Sequence, residues 1–387
     1  MPALDVPQPE FMDDEEIAIF ADAVGKFYEK HAPEKRVLKW REDGQVDRDF
    51  WRDAGEAGLL GASVPEEYGG HGGDFRHEMV VIDQQGQHGV EGFAASLHNT
   101  IILPYLVRHG TEEQKKKYLP RLVSGDLVSA IAMTEPGVGS DLQSITTTAI
   151  KDGNGYRING AKTYISNGQI ADFIIVVAKT DPNERAKGIS LMLLETEGAE
   201  GFQRGKKLDK IGLEAQDTSE LFFDDVFVPA ENVLGGEEGK GFYQLMGELP
   251  QERLIIAMGA MTTIERALEE TLAFTKERKA FGKTIWDFQN TQFTLAELKA
   301  RATAAKVFVN HCIAQHLEGK LDVPTACMAK LWLTELQGEV VDKCLQLHGG
   351  SGYINDYPIA RMFRDSRVTR IFGGSNEIMK MVIARSM

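Results

Sequence analysis

GYRINGAKTYIS, Gly155 to Ser166, reads as two short strand-like runs around Asn159-Gly160, the strongest short-range signal for a hairpin. It opens a region of β texture. FIIVVAKTD (Phe173 to Asp181), GISLMLLETEG (Gly188 to Gly198) and SELFFDDVFVP (Ser219 to Pro229) follow as further strands closed by turn residues. Together they predict a β domain running from about Ser129 to Val233. On both sides the apolar period lengthens to that of helices. In FMDDEEIAIFADAVGKFYEKH, Ile17, Phe20 and Val24 recur at spacings of three and four and give one apolar face. TEEQKKKYLPRLVSG starts with a capping box, Thr111 with Gln114, and is expected to stop at Pro120 and then Gly125. Beyond Gly239 the helical pieces are longer, near Gln251 to Arg278, Asn290 to Leu317 and Pro324 to His348, with short connections that suggest a bundle. The expected architecture is α+β and multidomain: an N-terminal α-helical domain (1–128), a middle β-barrel-like domain (129–238) and a C-terminal domain like a four-helix bundle (239–387).

The bulk properties narrow the function. A chain of 387 residues has room for two or three domains around a sizeable core. The 58 acidic against 43 basic residues, a formal net charge of -15, argue against a nucleic-acid or anionic-membrane surface, which relies on basic stripes. Cys312, Cys327 and Cys344 are scattered through apolar helical stretches and form neither a disulfide framework nor a metal cluster, which suits a reducing compartment. MPALDVPQPEFMDDEE lacks the basic and apolar regions of a secretory signal. The apolar runs LIIAM and FIIVVA are far too short to span a bilayer, so a soluble protein is expected.

Several motifs invite a chemical reading. GGEEGKGF (Gly235 to Phe242) imitates a phosphate loop, but Leu234 precedes it, Gly follows Lys240, and its two glutamates would repel phosphate; a loop before a helix reads better. The nine histidines show no HExxH or similar ligand spacing, and no metal is expected. AMTEPGVGSD (Ala132 to Asp141) puts Pro136-Gly137 where a type II turn needs them, with Gly139 as a second permissive site; it reads as a plain turn, or as a loop aiming amides and Ser140 at a ligand. ERKAFGKTIWDFQ (Glu277 to Gln289) sets Arg278, Lys279 and Lys283 around Phe281 and Gly282, as a solvated helix end or an anion site. LQLHGGSGY (Leu345 to Tyr353) ends a helix on Gly349-Gly350, as a C-cap does. RIFGGSNEIMK (Arg370 to Lys380) interrupts an apolar run with Gly373-Gly374, and Ser375 or Asn376 is placed to cap the helix that follows.

In this order, the segments resemble the acyl-CoA dehydrogenases, a family of FAD-dependent enzymes. AMTEPGVGSD matches the family's first signature, and LQLHGGSGYINDYPIARMFRDSRVTRIFGGSNEI matches the second. Its Arg364, Asp365 and Arg367 read as structural ion pairing. The resemblance covers nearly the whole chain and implies the following roles. Met133 and Thr134 line the isoalloxazine ring, with Gly139 in the same loop; Ser140 binds near the cofactor or CoA; Tyr164, Ile165 and Ser166 cover the ring's other edge. Arg278 and Gln289 hold the diphosphate and adenosine of a neighbouring subunit's FAD, with Phe281 packing on a ring, while Gln346, Gly349 and Gly350 contact that shared cofactor. Ser375, Asn376 and Glu377 lie beside the flavin. Sharing a cofactor in this way implies a homotetramer, a dimer of dimers.

The implied reaction removes an α-proton and a β-hydride from an acyl-CoA thioester and passes the electrons to an electron-transfer flavoprotein. Many members carry the base in a Tyr-Glu-Gly-Thr motif, which aligns here with Phe372-Gly373-Gly374-Ser375, so the usual glutamate is missing. Long-chain and isovaleryl-type members carry it on an earlier helix, and Glu252 in ELPQERLIIAMGA occupies that place. Read without the resemblance, Glu252 is a first-turn helix acid after Pro250. Arg253 either orients the Glu252 region or makes a structural ion pair, and Tyr243 lines the acyl or CoA channel or is a core tyrosine. Gly373, with Gly374 beside it, offers a backbone amide to the thioester oxygen. The expected substrate is a medium or long straight-chain acyl-CoA. The competing readings are a branched-chain acyl-CoA dehydrogenase, an acyl-CoA oxidase on the same scaffold, and a catalytically dead helical interaction protein. The bacterial cytoplasm and, for a processed form, the mitochondrial matrix fit equally.

Overall fold

The computed structural model describes residues 3–387. The N-terminal part is helical: α1 (Glu15–His31), α2 (Glu34–Asp43), α3 (Arg48–Glu56) and α4 (Phe75–Gln87) come first. Next, α5 (Ala95–Leu97) runs through a π-turn (His98–Ile102) into α6 (Leu103–His109), and α7 (Glu112–Val123) closes the domain. Asp14 caps α1 through the Glu16 amide, and Ile17 and Val24 point inward. The capping box of Thr111 and Gln114 forms. Pro120 does not stop α7, which continues to Val123 because Leu119, Leu122 and Val123 are buried and hold the last turn in place. Trp51, Phe50, Tyr28 and Phe93 form the centre of this domain's core.

One curled seven-stranded sheet, a half-barrel, makes the middle part. Its strands are β1 (Ser129–Ala132), β2 (Thr148–Asp152), β3 (Gly155–Ser166), β4 (Phe173–Lys179), β5 (Ile189–Glu195), β6 (Phe202–Lys207) and β7 (Thr218–Pro229). Their order is β1-β4-β2-β3-β7-β6, with β5 against β4. β4 and β5 are buried almost throughout, as their continuous apolar runs require.

GYRINGAKTYIS is not a hairpin. It is the single strand β3, and Asn159-Gly160 forms a bulge where the register against β7 shifts. Gly160 has φ 153°, and a Cβ there would lie 2.4 Å from Thr147 Oγ1, so the glycine serves close approach and not a turn. The hairpin lies one step earlier, where Gly153-Asn154 joins β2 to β3 across the Asp152–Gly155 pair. Pro136-Gly137 does close a tight turn, with Glu135 and Val138 exchanging backbone hydrogen bonds of 2.9 and 3.1 Å. Gly137 lacks the positive φ of a type II turn, so that assignment does not hold.

The C-terminal part is a helical bundle of α8 (Gly241–Glu277), α9 (Gln289–Leu317), α10 (Val323–His348), α11 (Pro358–Ser366) and α12 (Asn376–Arg385). A two-rung ribbon of β8 (Lys279–Ala280) and β9 (Lys283–Thr284) links α8 to α9. Leu254, Ala257, Met261, Ile264 and Leu268 on α8 bury one face against Leu333, Leu336, Val340 and Val341 of α10. α8 starts ten residues before the expected Gln251 and passes straight through Pro250. Its first turns bury Gly241, Leu245 and Glu248, and that packing outweighs the hydrogen bond the proline omits. Of the three residues expected to ion-pair, Arg364 and Asp365 do: Arg41 bonds Asp365 at 2.8 Å, and Glu214 bridges Arg41 and Arg364, whereas Arg367 makes no ion pair among the described residues. Among the described residues no helix is long and apolar enough to cross a membrane.

Candidate active site

The early start of α8 changes the reading of Glu252. It is no first-turn acid near a helix dipole but lies about three turns into the helix, where the macrodipole has faded. It is 5% exposed, at the seam between α8 and α6. Tyr105 on α6 donates a hydrogen bond of 2.8 Å to its Oε1. Among the described residues no hydrogen bond reaches Oε2. Burial pushes the carboxyl up to about 7; the Tyr105 bond and the Arg253 charge oppose this, and the Glu248 charge adds to it. A carboxyl so placed can accept a proton near neutral pH.

The seam is cross-linked beside it. Gln251 Nε2 donates to the Thr100 carbonyl at 2.7 Å, and Arg108 Nη2 donates to Gln251 Oε1 at 2.8 Å. Thr100 lies in the π-turn, a distortion often found at functional positions. Glu248, one turn before Glu252, is held by Arg108 and by His109 Nε2 at 3.0 Å. Arg253 is buried and points away from Glu252, its Nη1 donating to Cys327 Sγ at 3.2 Å while its Nε has no partner. It makes no structural ion pair among the described residues.

Gly373 closes the arrangement from the other side. A Cβ on it would lie 2.3 Å from Cδ1 of Ile256, one turn beyond Glu252 on α8. Glycine at φ 61° thus lets the loop approach the helix that carries the carboxylate. Within the described chain the Gly373 amide donates to no backbone acceptor. Lys330 Nζ on α10 anchors the loop through Gly374 O at 2.9 Å and Asn376 Oδ1 at 2.8 Å. Asn376 is therefore a buried scaffold residue, bonded also to Thr334 and Glu335, and its side chain is not free for a ligand. Neither Ser375 nor Asn376 caps α12 through its side chain. The Glu377 carboxylate takes its own backbone amide and the Ser375 hydroxyl, which holds it below the usual carboxylate range.

Two further groups lie apart from this one. Met133 and Thr134 sit beside β3 because Thr163 N–H donates to Thr134 O at 2.9 Å and Lys162 Nζ to Met133 O at 3.0 Å. Lys162 is fully buried and pairs with Glu135 at 2.9 Å, tying the AMTEPGVGSD loop to β3. Gly139 and Ser140 are exposed in that loop, and Tyr164 stands 67% exposed on β3. Ser166 is half-buried, whereas Ile165 packs into the sheet core and offers only its backbone. The second group gathers Arg278, Phe281 and Gln289 at the α8–α9 link with Gln346, Gly349 and Gly350 at the end of α10. Phe274 joins them by stacking on His348 at 4.3 Å, one turn before Arg278. Gly349 and Gly350 open on to empty space. Among the described residues five non-glycine residues have positive φ, and Tyr164 and Phe281 are two of them, both exposed aromatics. Tyr243 is 53% exposed at the start of α8, which excludes the core reading.

Sequence patterns missed Tyr105, Lys162, Glu135 and Lys330. A lysine with no room for water, such as Lys162, carries no local signal, because its partner lies 27 residues away.

The three-part chain thus carries a buried, titratable glutamate, a glycine-gapped loop beside it and two separate surfaces with exposed aromatic rings. The chain belongs to the acyl-CoA dehydrogenase family: residues 14–126, 130–226 and 239–387 match that family's N-terminal, middle and C-terminal domains. It is 48% identical over 371 residues to the mitochondrial long-chain specific acyl-CoA dehydrogenase of Sus scrofa, covering 95% of this chain and 86% of that one. The crystal structure of an acyl-CoA dehydrogenase from Geobacillus kaustophilus superposes with a TM-score of 0.94 at 47% identity, covering 96% of this chain and 98% of the other. A glutaryl-CoA dehydrogenase from Mycobacterium smegmatis in complex with FADH2 superposes with a TM-score of 0.91 at 27% identity, covering 100% of this chain and 97% of that one. The protein is an acyl-CoA dehydrogenase, an oxidoreductase.

Proposed function

We propose that the chain oxidises a medium or long straight-chain acyl-CoA to the trans-2-enoyl-CoA with FAD, that Glu252 is the base, and that an electron-transfer flavoprotein receives the electrons. The single observation that carries the assignment of the base is the position of Glu252: buried, with one oxygen unbonded, one turn from the side chain that abuts Gly373.

The surfaces suit FAD. Tyr164 and Phe281 present exposed rings on strained backbone, Arg278 carries a guanidinium with no ion pair among the described residues, and Gly349-Gly350 leave space for close approach. Met133, Thr134, Gly139, Ser140, Tyr164, Ser166 and the backbone of Ile165 would hold the ring end, with Ser375 and Glu377 beside it. Arg278, Phe281, Gln289, Gln346, Gly349 and Gly350 would hold the diphosphate end. When bound, FAD supplies the two-electron acceptor for the β-hydrogen. Glu252 takes the α-proton on its free oxygen, and the Gly373 amide bonds the thioester oxygen as charge gathers there. One such donor is worth about 3 kcal/mol in the transition state. Ser140 and Tyr243 face the CoA side.

Arg278 and Glu252 are 26 residues apart on and at the end of one helix, about 39 Å of rise. That span exceeds what one dinucleotide bridges while its ring stays at Glu252. It supports a cofactor shared between copies of the chain, and so the homotetramer.

The test is anaerobic titration of the purified flavoprotein with palmitoyl-CoA and isovaleryl-CoA, followed by electron-transfer flavoprotein or air. Bleaching by palmitoyl-CoA, slow reoxidation in air and fast reoxidation by the acceptor protein support the reading. Preferential bleaching by isovaleryl-CoA moves the substrate to branched chains, rapid reoxidation in air makes the chain an oxidase, and Glu252→Gln at full rate removes the base.

A further inference from the structure

Tyr105 lies in no motif, yet it makes the one hydrogen bond that Glu252 receives among the described residues. The two residues belong to different domains, 147 positions apart, and α6 is fixed against α8 on either side of the contact. Gln251 binds the π-turn carbonyl of Thr100, and Arg108 binds Gln251 and Glu248. The phenol is fully buried, so its direction is set by packing and not by water.

The other charged and titratable groups around Glu252 make no hydrogen bond to it among the described residues, although the Glu248 charge raises its ionisation and the Arg253 charge lowers it. On α8 itself, Glu248 is paired with Arg108 and His109 of α6, and Arg253 is turned to Cys327 of α10. Lys330 on α10 is spent on Gly374 and Asn376, and His316 on α9 stacks edge-on with Phe75. Burial holds the Tyr105 ionisation well above that of a free phenol, so the proton of the pair stays on tyrosine and Tyr105 is the donor.

We infer that Tyr105 is a positioning residue for proton abstraction: it fixes Oε1 of Glu252, keeps the carboxylate ionised once the acyl chain displaces water, and presents Oε2 to the α-carbon. The inference rests on the reading of Glu252 as base. In the step it serves, the α C–H bond breaks, its proton goes to Oε2, and the electron pair passes to the thioester enolate. The pair returns to carbon as the β-hydrogen leaves with its electrons to the acceptor. A hydrogen bond to the anion stabilises the form that is competent to react and weakens when Oε2 is protonated.

The β-thia analogue of decanoyl-CoA, with sulfur in place of the β-carbon, can lose an α-proton but has no β-hydride to give. Exchange of its α-hydrogens for deuterium on the holoenzyme, followed by mass spectrometry across pH, therefore reads the base alone. With Tyr105→Phe the acid limb of the exchange rate should move up by about one pH unit, a tenfold loss below the limb, with at most about threefold loss above it. Flavin content and melting temperature check that the variant is folded. A uniform loss at all pH values, or an unmoved limb, overturns the inference. In a Glu252→Gln background Tyr105→Phe should cost nothing further; the same loss there as in the parent overturns it too. Full exchange by Glu252→Gln alone fails the base itself, an outcome distinct from a failure of Tyr105 to act through it.

Discussion

Glu248 and Glu252 occupy successive turns of α8, are 3% and 5% exposed, and both face α6. Glu248 meets a guanidinium and an imidazole, whereas Glu252 meets a phenol. Both are buried, but only Glu248 lies in ion-pair distance of basic side chains, and burial pushes the Glu252 carboxyl up to about 7. The difference teaches that burial alone does not make a base: a buried carboxylate becomes reactive when its neighbours hydrogen-bond it without neutralising it.

The comparison breaks if Glu252 can be neutralised without consequence. Glu252→Gln should lower single-turnover reduction by palmitoyl-CoA about a thousandfold, while Glu248→Gln retains most of it; stopped-flow absorbance distinguishes the two. The same substitution should act on stability in the opposite sense. The folded carboxyl titrates at about 7 against an ordinary value of 4.5, so the folded state binds more protons than the unfolded one between those pH values. Its contribution is full below pH ~4.5 and is lost as pH rises through ~7. Glu252→Gln should therefore be more stable than the parent by about 1–3 kcal/mol at pH 8, with the gap closing towards pH 4.5, as chemical denaturation at each pH would show.

Moving the carboxylate sharpens the comparison further. Glu252→Gly with Gly373→Glu places the new side chain at φ 61° and against Ile256. Adding Ile256→Ala should raise the recovered turnover about tenfold over the double variant, a steady-state measurement; no gain would show that crowding by Ile256 is not what limits the relocated base. The smallest effect belongs to Glu248→Gln. Losing the pairs to Arg108 and His109 should cost about 1 kcal/mol in urea unfolding, because Arg108 is half-exposed and can rehydrate. The acid limb of turnover should move slightly down, since the Glu248 charge raises Glu252.

The three textures, the capping box at Thr111 and the ion pairs of Arg364 and Asp365 were legible because each is written within a short span or a familiar motif. So was the missing glutamate in FGGS. β6 was not, since FQRGKK is a mostly exposed edge strand with no apolar alternation to read. β2, whose outer half is exposed, went unread for the same reason. Asn159-Gly160 looked like a turn and Pro250 like a helix start because both signals are local statistics. The neighbouring strand at Thr147 and the packing of Leu245 overrode them.

By itself, the sequence determined the order α, β, α and the family, and the resemblance it carries singled out Glu252 and Gly373 as the two places for the proposed base. Only the tertiary structure decided that Glu252 is desolvated, that Gly373 reaches the same helix beside Ile256, and that Tyr105 is what touches the carboxylate. The reason is one of range. Helical period and turn chemistry act over a few residues, whereas the ionisation of a carboxylate depends on every dipole and charge within a few ångströms, whatever its distance along the chain.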